Sequence, residues 1–439
     1  MKNARIFSYA CMLFAFLLGC ASCGDNNDNN NDDPNVTEVY QGRSVKRGVS
    51  YGFQIPTDDA ALLGKAACWF YNWDSGVSDA VNTATVANNI AYVPMAWNGS
   101  FNADKIRATK AAHPECQYIL AFNEPNLTDQ ANMTPEQAAQ YWPALKSLAT
   151  ELNMKLISPA MNYGTLSGYS DPIVWLDEFF TLVPVSDIDG IAVHCYMGNA
   201  SALAWYIGRF KKYNKPIWLT EFCAWETTIK SATDQMKYMS DAINYLECEP
   251  AVYRYAWFIP RAGGSVDSYP YMQLLTKTSP YDLTPLGKVF ANLSTQDKSI
   301  YYPEYQKIPA EHYSSLNMAE TVKNGTFSNS VHLRPTTDES GDLEVFDFYS
   351  GYWLEYQVNI TSTSSHSIQF RYASASDATV DVSVDGTVAT SVSVPSTTAE
   401  TVWTTASYPL NITTGKHTVR LSVTSGGVVL NWLSIVKQK

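Results

Sequence analysis

Two glutamates, Glu124 in YILAFNEPN (118–126) and Glu221 in KPIWLTEFCAW (215–225), each close a short apolar run. Tyr118 through Phe122 and Ile217 through Leu219 have the composition of strands buried inside a parallel sheet. One carboxylate at a strand tip ordinarily begins a solvated loop. Two of them, at the tips of two core strands, can divide acid–base work. One protonates a departing oxygen and the other attacks carbon or activates water, which suits cleavage of a glycosidic bond. The acid must hold its proton near neutrality, so burial or the Glu221 charge is expected to raise the pKa of Glu124. Pro125 cannot donate to a ladder and biases Glu124 toward extended backbone, so the strand is expected to end there.

The segments around the two glutamates supply a frame. From residue 46, eight apolar runs alternate with helix-like stretches: 47–53, 67–73, 90–97, 118–124, 155–163, 188–196, 217–222 and 252–258. Residues 134–153 read as a helix with Thr134 as N-cap and Pro135 in the first turn, and 231–248 as another. Eight strands alternating with helices over 46–295 predict an α/β fold, a (β/α)8 TIM barrel, whose functional groups gather at the C-terminal strand ends. Trp73, Trp97, Asn162, Tyr196 and Trp257 fall at such ends beside the two glutamates. Asp177 and Glu178 lie on a helix-like stretch and Glu226 lies five residues beyond Glu221; all three read as solvated surface.

The texture changes after residue 295. Residues 296–307 are polar and read as a linker. Residues 308–439 are rich in Ser, Thr and Val with period-two alternation and an Asp385-Gly386 turn, which predicts a C-terminal all-β sandwich, jelly-roll-like. It holds no comparable pair of strand-end carboxylates, so binding rather than catalysis is expected of it.

A net charge of −12 argues against nucleic acid as a partner. Phosphate loops and metal-ligand clusters are absent from the sequence, and no catalytic cofactor is expected. Lys2, Arg5 and the apolar run 12–19 form a leader too short to span a membrane as a mature helix. Leu17, Leu18, Gly19 and Cys20 resemble a bacterial lipoprotein box, which implies a signal peptide at 1–19 and lipid on Cys20. The stretch that follows, within 20–45, is acidic and Asn-rich and reads as a flexible tether. Its acidic run resembles the export signals of Gram-negative surface lipoproteins, so an outer-membrane, cell-surface location is expected. Cys68, Cys116, Cys195, Cys223 and Cys248 match no zinc or redox spacing and read as buried free thiols, with at most one or two disulfides among them.

YNWDSG, YVPMAWNG, LAFNEPN, GIAVHCYMG, WLTEF and YRYAWF together resemble glycoside hydrolase family 128, the Asl1-like group of retaining (β/α)8 glycosidases. The resemblance implies endo-β-1,3-glucanase activity on β-glucan, with Glu124 as acid/base and Glu221 as nucleophile. It also implies that Asn123 contacts a sugar hydroxyl and that His194 and Tyr196 line the site; Trp73, Trp97, Trp225 and Trp257 are expected as further sugar contacts from their places at and after the strand ends. Cys195 departs from the bulky aromatic expected between His194 and Tyr196, and the FCAW stretch departs after Glu221.

IPAEHY, SGYWLEYQVNI, VWTTASYPLNITTGKHTVRL and LNWLSI resemble a carbohydrate-binding module of family 6. That resemblance implies a sugar cleft at Trp403 and Asn431, with Phe346, Phe348 or Tyr349 as third member, and a structural calcium held in part by Glu311. Trp353 and Trp432 read as sandwich core. A monomer is expected. Two other functions fit the same residues: a retaining barrel enzyme on mannan, xylan or mixed-linkage glucan, and a non-catalytic glycan-binding surface lipoprotein.

Overall fold

The computed structural model describes residues 37–263 and 270–438. The signal peptide, Cys20 and most of the tether lie outside the described residues. The barrel strands are β1 (Arg47–Ser50), β2 (Trp69–Tyr71), β3 (Ala91–Tyr92), β4 (Tyr118–Leu120), β5 (Lys155–Ile157), β6 (Ile191–Cys195), β7 (Ile217–Phe222) and β8 (Val252–Trp257). Helices α1 (Pro56–Leu63), α2 (Asp79–Ala87), α3 (Ala103–Ala112), α4 (Pro135–Glu151), α5 (Pro172–Leu182), α6 (Ala200–Phe210), α7 (Ala232–Cys248) and α8 (Pro285–Asn292) follow them in turn. Thr134 and Gln137 form a reciprocal capping box at the start of α4, and Asn199 and Ser231 cap α6 and α7.

One parallel sheet runs β3-β2-β1-β8-β7-β6, and β4 pairs β5. Parallel bridges join the two pieces: Met95 to Leu120 on one side, Ile157 to Gly190 and Met161 to Val193 on the other. The sheet therefore closes on itself as the expected barrel. Trp69, Tyr71, Met95, Leu120, Ile157 and Trp218 fill its interior, while the larger core lies between strands and helices.

The C-terminal sandwich contains β9 (Tyr302–Pro303), β10 (Ile308–Pro309), β11 (Ser315–Leu316), helix α9 (Asn317–Lys323), β12 (His332–Pro335), β13 (Leu343–Tyr349), β14 (Trp353–Ile360), β15 (His366–Ala373), β16 (Ala378–Val384), β17 (Thr387–Val394), β18 (Thr404–Leu410), β19 (Gly415–Ser425) and β20 (Gly427–Lys437). One sheet runs β12-β13-β20-β15-β18 and the other β11-β14-β19-β16-β17.

Two expected boundaries shift. The 296–307 stretch is not a free linker, because Tyr302 and Pro303 pair in parallel with Val358 and Asn359 of β14. The end of the expected tether is also held in place. Val39 exchanges hydrogen bonds with Gln306, and Arg43 donates to the carbonyls of Gly64, Ala67 and Asn88. Barrel and sandwich are joined by buried polar contacts as well as apolar ones. The Leu333 amide donates to Ser240 of α7, and Tyr313 donates to Asn244 of the same helix.

Candidate active site

Glu124 and Glu221 meet at the C-terminal mouth of the barrel. An oxygen of each, together with a ring nitrogen of His194, forms a buried set whose atoms all lie within 4.8 Å of one another. Local irregularity aims them. The β6–β7 ladder shifts register between Val193 and His194, which places His194 opposite Glu221, and the β7–β8 ladder shifts between Leu219 and Phe222. Such shifts re-aim side chains beside functional sites. Glu124 is not extended as expected. Its φ is 43°, in the left-handed region, where its carbonyl accepts from Leu127 in a tight turn and its amide donates to Ala160. Trp73 also has a left-handed φ, 61°. Two non-glycine residues in this region within one site mark backbone strain of roughly 1–3 kcal/mol each.

Glu221 accepts at Oε1 from Tyr71 Oη (2.8 Å) and Trp73 Nε1 (2.7 Å), and at Oε2 from Tyr196 Oη. Burial first, and then the Glu221 charge, raises both phenols well above their ordinary range, so both remain donors. Glu124 Oε1 lies 2.8 Å from His194 Nδ1 and accepts from Asn162 Nδ2 at 3.1 Å. His194 Nδ1 is also 3.5 Å from Glu221 Oε2.

The expected upward shift at Glu124 is corrected by this arrangement. Burial pushes its carboxyl up, but the charge and hydrogen bond of His194, with the Asn162 hydrogen bond, hold it below the usual carboxylate range. Burial pushes His194 down, and the Glu221 charge and both interactions with Glu124 outweigh it, so the imidazole rests above its ordinary value.

The same three side chains could in principle hold a cation. The donors around them argue otherwise. Indole N–H and phenol O–H groups take both oxygens of Glu221, and an amide N–H takes Glu124 Oε1, which engages the carboxylate oxygens that face His194.

The other expected residues divide. Trp73 joins the glutamate pair directly, donating to Glu221. Trp97 packs on the barrel interior and its carbonyl accepts the Asn123 amide proton; Asn123 is buried and its Oδ1 has no partner. Trp225 stands on the rim, 47% exposed, stacked on Phe258. Trp257 is corrected: it is fully buried in the strand–helix core, donating to the Met272 carbonyl. Its neighbour Phe258 faces the cleft instead, within 6.0 Å of Trp73 and 5.5 Å of Tyr196. Cys195 alternates away from His194 and Tyr196 into the core, and burial pushes its thiol up to about 12.

Sequence reasoning left out Tyr71, although it lies two residues before Trp73 and so on the same strand face. Asp177 and Glu178 are surface groups, paired with Lys212 and Tyr169. Glu226 is exposed, yet it borders the cavity of about 200 Å³ that His194, Tyr196 and Tyr163 also line.

In the sandwich, the expected sugar cleft is filled. Phe346 is 3% exposed, with the Lys237 ammonium of α7 5.2 Å and the Arg334 guanidinium 4.3 Å from its ring centre. Phe348 is core. Both are corrected as sugar platforms. Asn431 is buried, and its amide donates to Asp338 Oδ2 and to the Ser340 carbonyl, each at 2.7 Å. Arg371 clamps Asp338 from the other side. Trp403 packs against the Phe346 cluster and donates to Thr337. Tyr349 alone of the aromatic candidates is largely exposed. Glu311 is fully buried with an unpartnered Oε2; burial, then the Asp342 charge, pushes its carboxyl up to about 8. The orphaned oxygen is one donor of the roughly six to eight a calcium ion takes, and among the described residues no set of three His, Cys, Asp or Glu ligands includes Glu311.

Comparisons with known proteins identify this closed parallel barrel as that of a glycoside hydrolase. The chain belongs to the glycosyl hydrolase catalytic core family, whose model matches residues 48–290, and a family 6 carbohydrate binding module matches 318–437. Its barrel is of the family 128, Asl1-like type. It is 36% identical to a GH128 (subgroup II) endo-β-1,3-glucanase of Pseudomonas viridiflava, over 57% of this chain and 99% of that one, with a TM-score of 0.53. A second such enzyme, from Sorangium cellulosum, is 32% identical over 56% of this chain and 97% of that one, with a TM-score of 0.50. Alkali-sensitive linkage protein 1 of Schizosaccharomyces pombe is 27% identical over 231 residues, 49% of this chain and 39% of that protein. The chain spans no more than about two fifths of the length of the curated relatives it matches.

Proposed function

We propose that this chain is a retaining endo-β-1,3-glucanase anchored at a bacterial cell surface. The observation that carries the catalytic reading is the approach of Glu124 and Glu221 oxygens to within 4.8 Å. Retaining pairs stand about 5–5.5 Å apart, whereas inverting pairs need about 6.5–9.5 Å to admit a water molecule. The β-1,3-glucan linkage is supported by the named activity of the two solved relatives.

In the first step Glu221 attacks the anomeric carbon while Glu124 gives its proton to the departing oxygen. In the free enzyme that proton is shared with His194, whose Nδ1 can pass it across 2.8 Å to Glu124 Oε1. Glycosylation removes the Glu221 charge. Glu124 then takes a proton from water, water attacks the anomeric carbon, and Glu221 leaves as a carboxylate. Tyr71, Trp73 and Tyr196 position the nucleophile and receive its charge on departure. Asn123 Oδ1, buried and unpartnered, suits a sugar hydroxyl. No cofactor enters this scheme.

Release of reducing sugar from linear β-1,3-glucan, mixed-linkage glucan, mannan and xylan tests the substrate. Cleavage confined to mannan or xylan overturns the glucan reading, and no cleavage of any of them favours a binding protein.

The lipid anchor on Cys20 and the outer-membrane location rest on the sequence. Globomycin-sensitive processing and protease shaving of whole cells test them, and a soluble product cut well beyond Cys20 rejects the anchor. A calcium ion at Glu311 would neutralise that buried carboxylate. Chelation then lowers Tm and calcium restores it, whereas an unchanged Tm rejects the ion.

A further inference from the structure

A groove of about 490 Å³ runs between α6 and α7 of the barrel and is completed by the segment after α9 of the sandwich. Trp205 of α6 borders it and is 58% exposed. The Arg209 guanidinium lies 5.2 Å from the indole centre and is itself fixed by both Asp171 oxygens, at 2.7 and 3.0 Å. The indole is thus a platform held in place, not a loose surface side chain. Phe327 and Thr326 supply the sandwich wall, with Phe327 6.2 Å from Tyr245 of α7.

The charges in the groove are compensated. Arg209 is spent on Asp171, and Lys211 pairs with Glu249 at 2.7 Å. A phosphate or acidic ligand would find no free cation here, whereas hydroxyls would find hydrogen-bonding groups beside a flat apolar ring. That combination fits a neutral sugar polymer, and the volume lies within the roughly 300–1,000 Å³ of ligand sites.

Gly208 offers a place from which the groove can be filled. It lies within α6, where glycine is a weaker helix former than alanine. A Cβ there would meet nothing within 4 Å, so packing does not demand glycine. It lines the groove, so a bulky side chain there occupies space that alanine leaves free.

One hydrogen bond links a wall of the groove to the cavity at the catalytic mouth. Arg209 donates at 2.9 Å to Tyr163 Oη, and Tyr163 lines the cavity beside His194 and Tyr196. We propose that this groove is a second carbohydrate site, which holds a β-glucan segment away from the reacting bond with Trp205 as its platform. The site rests on the glucanase reading and needs both domains. It would give the sandwich a part in sugar binding although Asn431 and Phe346 are covered.

Kinetics on long linear β-1,3-glucan and on a short β-1,3-oligosaccharide test it, using wild type, Trp205→Ala, Gly208→Phe and Gly208→Ala. Trp205→Ala and Gly208→Phe are expected to raise KM for the polymer roughly fivefold. Their kcat, and their KM for the short substrate, are expected to stay at wild-type values. Gly208→Ala is expected to raise Tm and keep polymer KM. Should Gly208→Phe fail to fold, Trp205→Ala still decides. Unchanged polymer KM in Trp205→Ala overturns the proposal while leaving the glucanase reading intact, and so does an equal rise on both substrates. A wild-type protein inactive on β-1,3-glucan sinks both. A dimer that Trp205→Ala dissociates, with polymer KM unchanged, assigns the groove to a second copy of the chain instead.

Discussion

His194 Nδ1 stands 2.8 Å from Glu124 Oε1, and Nε2 of the same buried ring has no partner. The two groups titrate as a pair. The depressed Glu124 pKa contributes stability above the ordinary carboxyl value of 4.5, lost as pH falls through the folded value. The raised His194 pKa contributes stability below the ordinary 6.5, lost as pH rises through the folded value. Both contributions coexist between those two ordinary values. The Tm difference between wild type and His194→Gln should therefore peak in that window, and a difference independent of pH would contradict the pairing. The basic limb of kcat/KM, which follows the shared proton, should move to lower pH in the same variant.

The two glutamates should fail differently. Glu124→Ala should lower polysaccharide turnover by about 10²–10⁴-fold and affect substrates with good leaving groups less, since those need little protonation. Azide should then yield a glycosyl azide of retained configuration. Glu221→Ala should be inactive on both substrate types, with azide giving an inverted product. Near-normal glucanase activity in either variant would remove that residue from the mechanism.

Tyr71→Phe deletes one charge-assisted hydrogen bond to Glu221 and leaves those of Trp73 and Tyr196. Such a bond contributes about 1.5–3 kcal/mol. The expected result is a kcat lower by roughly 10–100-fold with little change in KM. A change confined to KM would make Tyr71 a sugar contact instead of a support for the nucleophile.

His332 bridges the domains, 3.2 Å from Asp241 of α7 and 2.8 Å from Asp347 of β13. Burial pushes its pKa down, and the hydrogen bonds and charges of the two aspartates raise it overall. Its contribution is present below the ordinary imidazole value and lost as pH rises through the folded value. His332→Gln should therefore lower Tm at acidic pH and converge with wild type at alkaline pH. A gap that widens with pH would contradict the clamp.

Much of the barrel was legible because buried parallel strands read as apolar runs, and Glu124 and Glu221 announce themselves by closing two of them. Register at the strand ends was not. Trp257 and Phe258 exchange core and cleft within one residue, beside ladder shifts that break the two-residue period. The left-handed turn at Glu124 was hidden for a related reason, since Pro125 favours extended backbone and the long-range bond to Ala160, beyond the end of β5, overrides it. Tyr302 and Pro303 pair through main-chain atoms, which polar composition does not reveal. The filled sandwich cleft depends on Lys237 from the barrel and on the Asp338 loop, contacts remote in sequence from Phe346 and Asn431.

The most direct test of the double displacement by Glu124 and Glu221 is the anomer first formed on linear β-1,3-glucan. Proton NMR in the opening minutes of hydrolysis, before mutarotation, reads it at the new reducing end. Attack by Glu221 followed by attack of water predicts the β-anomer first, with α appearing only as the sugar equilibrates. An α-anomer formed first would mean a single inverting displacement and would contradict the account.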